Sequence, residues 1–377
     1  MFQVTLNHSY FLASLRTTLK AVANKTTIPV LTGIKIEVSA HGIQLTGSNA
    51  DISIETFISL EDKKAEIQII EHGAIILEGK IFANIVSNLP EKLFTMEVME
   101  NKQVRITSGK AEFFVNGIDA ENYPILPSVE NKNSIKLPIE LITQLIEETA
   151  FAVSTQESRP ILTGIHLSLT DNKKLTAVAT DSHRLSRQAC FLTTMVEDFE
   201  ITVSGKNLKE LSSIFVEEEN IEVHINKNQI AFESSGIRYY SRLLEGNYPE
   251  TSRLIPSEFN TEVIFKSCEL LHAVERASLL SQEGKNNVVR LEITAEQVKI
   301  FGNSPEIGKV EEELEFISVD GDSLTISFNP DYMKAALKAF GDGEIKLQFV
   351  SPVRPFTLKR ASVEDDFVQL VTPVRTN

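Results

Sequence analysis

The chain has 377 residues, 42% of them hydrophobic and 24% charged, with a net charge of −15. That length calls for two or three domains of roughly 100–200 residues each, and the composition excludes a disordered or collagenous chain. No apolar run approaches the roughly 18–20 residues of a membrane span, so no membrane partner is expected, and the acidity argues against a protein that grips nucleic acid over its whole surface.

The opening segment, MFQVTLNHSYFLASLRTTLK, has neither a basic lead nor an Ala-x-Ala cleavage pattern, so no secretory leader is expected. Cys190 and Cys268 are the two cysteines and form no CxxC pair. They point to a reducing compartment, hence the cytoplasm, and to no structural zinc. On that reading the Asn-x-Ser/Thr matches at Asn7 and Asn24 carry no meaning.

In chain order, the first predicted helix is NHSYFLASLRTTLKAVAN, with Phe11, Leu12, Leu15, Leu19 and Val22 at helical spacing. A strand-like run, TIPVLTGIKIEV (27–38), and a second strand, GIQLTGSNADISIE (42–55), follow. A second helix, GKIFANIVSNLP, carries Ile81, Phe82, Ile85 and Leu89, and alternating strands fill KQVRITSGKAEFFVNG (102–117).

The same order then recurs. PIELITQLIEETAFAVS has Pro138 suited to a first helical turn and a stripe of Leu141, Leu145, Ile146 and Phe151. SRPILTGIHLSL (158–169) repeats the earlier PxLTGI block, and KLTAVATDSHRLSR (174–187) is its second strand. GKNLKELSSIF, with Leu208, Leu211 and Phe215, is the second helix, and IEVHINKNQIAFES closes the unit. The third round runs CELLHAVERASLL, NNVVRLEIT (286–294), QVKIFGNSPEIGKV (297–310), NPDYMKAALKAFG and IKLQFVSPVRPFTLKR. Its helical stripes are Leu270, Leu271, Val274 and Ala277, then Tyr332, Ala336, Leu337 and Phe340.

Asn-Tyr-Pro occurs at 122–124 and again at 247–249, each time before a Pro-containing polar stretch (PSVENKNS, then PSEFN) that reads as a linker. The chain is therefore an α+β protein of three tandem similar domains, 1–125, 126–253 and 254–377, each with two helices packed on antiparallel sheets. Modules of this kind build arrays, and a head-to-tail arrangement closes into a ring where the rotation allows.

The thirds carry net charges of −3, −5 and −7. The helices nonetheless hold Arg16, Lys20, Lys80, Lys206, Lys209, Arg276, Lys334 and Lys338, while acids gather at 217–220, 311–315 and 364–366. Helices facing one way would make a basic lining in an acidic shell, suited to encircling a polyanion without gripping it.

Catalytic readings are poor. Asp181, Ser182 and His183 are adjacent, whereas hydrolase triads are assembled from distant segments, and there is no GxSxG elbow. Walker A, HExxH, EF-hand and GxGxxG patterns are missing, so no catalytic residue, metal or cofactor is expected. EEELE (311–315) reads as a strand exposing carboxylates. A three-module interaction scaffold that never meets DNA is the alternative on these grounds.

The TIPVL block, ATDSHRL (179–185), the NYP punctuation, the NPDYM helix start and the terminal VTPVRTN stand in the order and spacing of one family. Over its full length the chain resembles the bacterial DNA sliding clamp, the beta subunit of DNA polymerase III. The resemblance implies a homodimeric head-to-tail ring lined by helices that encircles double-stranded DNA without reading its sequence. A clamp-loader ATPase opens it, and the ring tethers the polymerase catalytic subunit, with no chemistry of its own within the nucleotidyltransferase holoenzyme.

The family's peptide-binding groove, between the second and third domains, implies a wall of Leu162, Thr180, His183, Arg184, Leu185, Pro249, Leu254, Asn329, Tyr332 and Met333. Pro352, Arg354, Leu370, Thr372, Pro373, Val374 and Arg375 complete it. Ser182 stands where many clamps have Gly. Repeat one has SNADI in place of TDSHR and is expected to lack a groove. Lys25, Gln156, Lys206 and Lys209 are the expected DNA contacts; Lys25 stands where some clamps have Arg and lacks its bidentate fork. Glu311, Glu312 and Glu313 are expected at the chain-to-chain interface, opposite Lys80 and Arg105 of a second copy.

Overall fold

The structure, a computed structural model, describes residues 2–23, 25–126, 134–281, 287–361 and 366–375. Most of the first linker (127–133), together with Asn24, Asn286, Glu364, Asp365, Thr376 and Asn377, lies outside the described residues. Six α-helices are present among the described residues: α1 (His8–Leu19), α2 (Gly79–Ser87), α3 (Ile139–Thr149), α4 (Gly205–Ser212), α5 (Ser267–Ser281) and α6 (Pro330–Phe340). They fall one pair to each third, as the apolar spacing predicts.

The chain forms two compact units, Met1–Leu141 with Glu210–Leu243, and Ile142–Lys209 with Leu244–Asn377. The first unit holds a five-stranded sheet and an eight-stranded sheet, and the second a nine-stranded and a four-stranded one. All the ladders are antiparallel. The middle third gives four strands to each large sheet. In the first unit Ile237–Arg242 pairs with Ile52–Ser59, and in the second Arg184–Phe191 pairs with Val368–Val371.

Each unit has a core of alternating strand residues and the stripes of two helices. Phe11 and Leu15 of α1 and Phe82 and Val86 of α2 are buried with Val4, Ile36, Leu45 and Phe94 in the first core. Leu270, Val274 and Ala277 of α5 and Met333, Leu337 and Phe340 of α6 are buried with Leu291, Ile300 and Leu347 in the second. Fully burying such a side chain contributes about 1.5–3 kcal/mol. Asn7 caps α1 by accepting from the Tyr10 N–H at 3.2 Å, and Asn329 caps α6 by accepting from the Asp331 N–H at 2.8 Å.

Four expectations need correction. The PxLTGI blocks are not strands throughout: Pro29–Thr32 and Pro160–Thr163 are 3-10 turns, and the strands begin at Gly33 and Gly164. Proline has no N–H to give a ladder, and the Thr32 and Thr163 hydroxyls close each turn onto the proline carbonyl at 2.9 and 2.7 Å. Each "second strand" is a hairpin, with turns near residues 49–51, 181–183 and 305–307. Ile81 is 57% exposed, and Val86, one turn after Phe82, fills the core instead. Pro138 ends a strand, opposite Asn220, and α3 starts one residue later.

Candidate functional site

The hairpin Lys174–Thr180 to Arg184–Phe191 presents a tight turn whose shape is set by its own side chains. The Thr180 hydroxyl donates to the Arg184 carbonyl at 2.6 Å and accepts from the Ser182 N–H at 3.1 Å. Asp181 Oδ1 accepts the N–H groups of His183 and Arg184 at 2.9 and 3.0 Å, and Oδ2 takes the Arg184 Nε–H at 2.9 Å. Ser182 adopts a positive φ of 79°, which glycine would meet without strain. The Asp181 carboxylate is thus spent on the turn and on Arg184, while the His183 ring stacks on Tyr332, with centroids 6.3 Å apart and planes at 13°. That arrangement is not a hydrolase triad.

Tyr332, at the start of α6, also receives the Arg184 guanidinium 4.8 Å above its ring, and Phe151 lies 5.7 Å from the same guanidinium. Burial, then the negative charge of Asp181, raises the Tyr332 hydroxyl above its ordinary pKa. The terminal strand completes the wall. Leu185 faces Leu370 across the ladder, and the Thr372 N–H and hydroxyl both donate to the His183 carbonyl, at 2.9 and 2.7 Å. The Val374 N–H donates to the Ser327 carbonyl at 2.7 Å, so the tail is held through residue 374. Beneath lie Val178, Leu185 and Leu370, with Tyr248 and Ile255 packed against them.

The structure therefore gathers Thr180, His183, Arg184, Leu185, Tyr332, Leu370 and Thr372. Leu162 is buried, its carbonyl accepting from the Ser154 N–H at 2.8 Å. Asn329 is committed to capping α6, and Met333 is fully buried in the core, so it backs the wall from behind. Pro249, Leu254, Pro352, Arg354, Val374 and Arg375 are exposed and Pro373 is half-buried; no hydrogen bond or ring contact ties their side chains to this cluster among the described residues. Asp181, Phe151 and Tyr248 were missed by sequence reasoning. The signal for two of them was present, since Asp181 sits inside TDSHR and Tyr248 is the tyrosine of the second NYP.

Lys25, Gln156, Lys206 and Lys209 are all exposed, and no ion pair holds the three lysines among the described residues. The other helical cations divide. Arg276 bonds Glu312 through Nε at 2.9 Å and through a second, shorter contact; Lys334 meets Asp331 at 2.8 Å and Lys338 meets Glu275 at 3.5 Å. Lys20 bonds the Ser213 hydroxyl at 2.8 Å and lies 3.7 Å from Glu210. The uniformly basic helix face expected in the last third is thus largely neutralised by neighbouring carboxylates.

Strand alternation likewise separates the three glutamates. Glu312 turns toward α5, where the Arg276 hydrogen bond holds its carboxyl below the ordinary value, and Glu311 meets Lys299 at 3.1 Å on the other face. Glu313 is exposed, as is Lys80 of α2, whereas Arg105 bonds Glu112 at 2.5 Å and lies 3.5 Å from Glu97. Gly308–Leu314 and Ala111–Asn116, with Phe114 exposed, are each the last strand of their sheet.

Repeat one is not featureless. Its hairpin turn keeps the same hydrogen-bond pattern, and a cavity of about 200 Å³ opens beside it.

The comparisons with known proteins agree along the whole chain. Models of the N-terminal, central and C-terminal domains of the DNA polymerase III beta subunit match residues 2–127, 136–250 and 252–375. The beta sliding clamp of Streptococcus pneumoniae is 45% identical and that of Bacillus subtilis 44%, over 100% and 99% of each chain. The crystal structure of the Streptococcus pneumoniae DNA polymerase III beta chain superposes with a TM-score of 0.98 at 45% identity, covering 100% of both chains. On these grounds the chain belongs to the DNA polymerase III beta-subunit family, the beta sliding clamps.

Proposed function

We propose that two copies of this chain close head to tail into a ring around duplex DNA, and that a clamp-loading ATPase places the ring there. The replicative polymerase and other proteins are then held by short peptides seated against Arg184 and Tyr332. The full-length match at 45% identity to a beta sliding clamp is the observation that carries this reading. The repeat units would be 1–125, 126–253 and 254–377, working in the cytoplasm. The chain would supply processivity, and nucleotidyl transfer would belong to the polymerase subunit it tethers. No cofactor is required.

The Tyr332 wall suits a peptide: a flat aromatic face, a guanidinium, an aliphatic floor and a few polar anchors. Leu162, Pro249, Leu254, Pro352, Arg354, Pro373, Val374 and Arg375 would extend it. Lys25, Gln156, Lys206 and Lys209 would touch phosphates. Self-association is supported by the two sheet edges, 111–116 and 308–314, which a head-to-tail pairing would cover. Arg105, Glu311 and Glu312 have ion-pair partners in their own chain, so Lys80 and Glu313 are the freer interface charges. Reversing Glu311 and Glu313 should raise the dimer dissociation constant in sedimentation, and an unchanged constant would remove them from the interface.

The reading as a whole is tested with circular and linearised forms of one nicked plasmid. After loading with a clamp loader and ATP, the chain should stay with circles at moderate salt and run off linear ends. Equal retention on both forms would make it an ordinary groove binder. Retention on neither, with the loader active on another clamp, would favour the scaffold alternative.

A further inference from the structure

We infer that the first unit carries a second ligand pocket, which takes a short peptide bearing an aliphatic anchor beside a side-chain amide or hydroxyl. The pocket is the cavity of about 200 Å³ bordered by Ile28, Asp51, Ile125, Gln229, Tyr240 and Arg242. It stands on this cavity and on Gln229, and does not depend on the groove at Tyr332 being a peptide site.

Its frame repeats the frame of that groove. The Ser48 hydroxyl donates to the Ile52 carbonyl at 3.1 Å and accepts from the Ala50 N–H at 3.2 Å, as Thr180 does with Arg184 and Ser182. Asn49 Oδ1 accepts the N–H groups of Asp51 and Ile52 at 3.0 and 2.9 Å, the part Asp181 plays in the other turn. Ala50 has a φ of 78° and Ser182 one of 79°. A last strand joins each hairpin in the same register, so that Tyr240 lies opposite Ser53 where Leu370 lies opposite Leu185. What changes is the chemistry: Asp51 and Ile52 stand where the groove has His183 and Arg184.

Three features name the occupant. Gln229 is 7% exposed, and its Oε1 is buried with no hydrogen-bond partner among the described residues. A buried acceptor without a donor costs free energy until a donor arrives, so the ligand brings an N–H or O–H. The cavity exceeds the roughly 150 Å³ that takes up benzene in a dry protein interior. Its volume has room for one leucine-sized side chain, and its apolar border includes Ile28, Leu31 and Leu126. On the rim, Asp51 and Arg242 are exposed and unpaired among the described residues, with the Arg242 N–H bonded to the Asp51 carbonyl at 3.0 Å. Arg242 favours one carboxylate on the ligand, and Asp51 opposes a polyanion such as a nucleic-acid strand. A peptide with one amide, one aliphatic and one acidic side chain meets all three.

The probe is the peptide acetyl-Ala-Asn-Leu-Asp-Ala-amide, titrated into the full-length chain while isoleucine methyl spectra are recorded. Ile28 and Ile125 methyl shifts should saturate in the millimolar range. Gln229→Met, which removes the acceptor at nearly constant volume, should weaken binding about tenfold, the loss of one hydrogen bond. Arg242→Glu, at an exposed position, should weaken it comparably and tests the proposal even where Gln229→Met does not fold. Tyr332→Ala should leave it unchanged. Absence of Ile28 and Ile125 shifts at several millimolar, wild-type affinity in both pocket variants, or loss of binding with Tyr332→Ala would each overturn the proposal. The last outcome would place the peptide in the other groove.

Discussion

At Tyr332 a stacked imidazole and an overlying guanidinium meet on one ring, 6.3 and 4.8 Å from its centroid. Cation–π contacts of this kind contribute about 0.5–2 kcal/mol, and the same ring offers its exposed part to a ligand. Tyr332→Ala should lower polymerase-peptide affinity roughly tenfold or more in isothermal titration. The melting temperature should change little, because the ring is only half-buried. Normal peptide binding by that variant would remove Tyr332 from the site. The residue scale is also where sequence reasoning was most selective. ATDSHRL announced a turn worth noticing, but the use of Asp181 depends on hydrogen-bond directions that no spacing encodes. Met333 and Tyr332 are adjacent in NPDYM, yet one is sealed in the core and the other is only half-buried, with His183 and Arg184 against its ring. A helix turns about 100° per residue, and only packing decides which side is in.

Among elements, the close approach of helix to strand is set by glycine. A Cβ on Gly302 would lie 2.1 Å from the Ala277 carbonyl oxygen of α5, and one on Gly47 would lie 2.6 Å from the Thr18 carbonyl oxygen of α1. Both contacts are backbone, so nothing flexible can yield. Gly302→Ala should cost about 1–3 kcal/mol and lower the melting temperature by roughly 2–4 °C per kcal/mol, measured by calorimetry. A melting temperature equal to wild type would show that α5 can shift without cost. The middle third has Ala179 at the corresponding place and buries it fully. The repetition of helix–strands–helix–strands was legible because apolar periodicity is local. The 3-10 turns were not, since PxLTGI offers β-branched residues that look extended until proline's missing N–H is counted against a ladder.

For the whole molecule, a net charge of −15 and a DNA-encircling role are compatible only if cations are left free where phosphate passes. Many helical cations are not free: Arg276, Lys334 and Lys338 each lie against an acid. Lys206 and Lys209 are exposed without an ion pair among the described residues. Replacing both with alanine should reduce the slope of log affinity against log salt for DNA by about 0.9 per lost phosphate contact. Peptide affinity should stay unchanged. Equal loss of both activities would mean that these lysines support α4 rather than meet DNA.

By itself the sequence determined the threefold repetition, the order of helices in each third, most of the apolar positions on those helices and the family. These properties are written in local period and in motif order. The tertiary structure decided which distant groups meet. It set Arg276 against Glu312 and Lys338 against Glu275, lent strands of the middle third to the sheets of both units, and left the Gln229 Oε1 without a donor among the described residues, beside the hairpin of the first repeat. Ion pairing, strand recruitment and cavity formation act between residues tens to hundreds of positions apart. Their partners are chosen by distance in space, to which periodicity along the chain is blind.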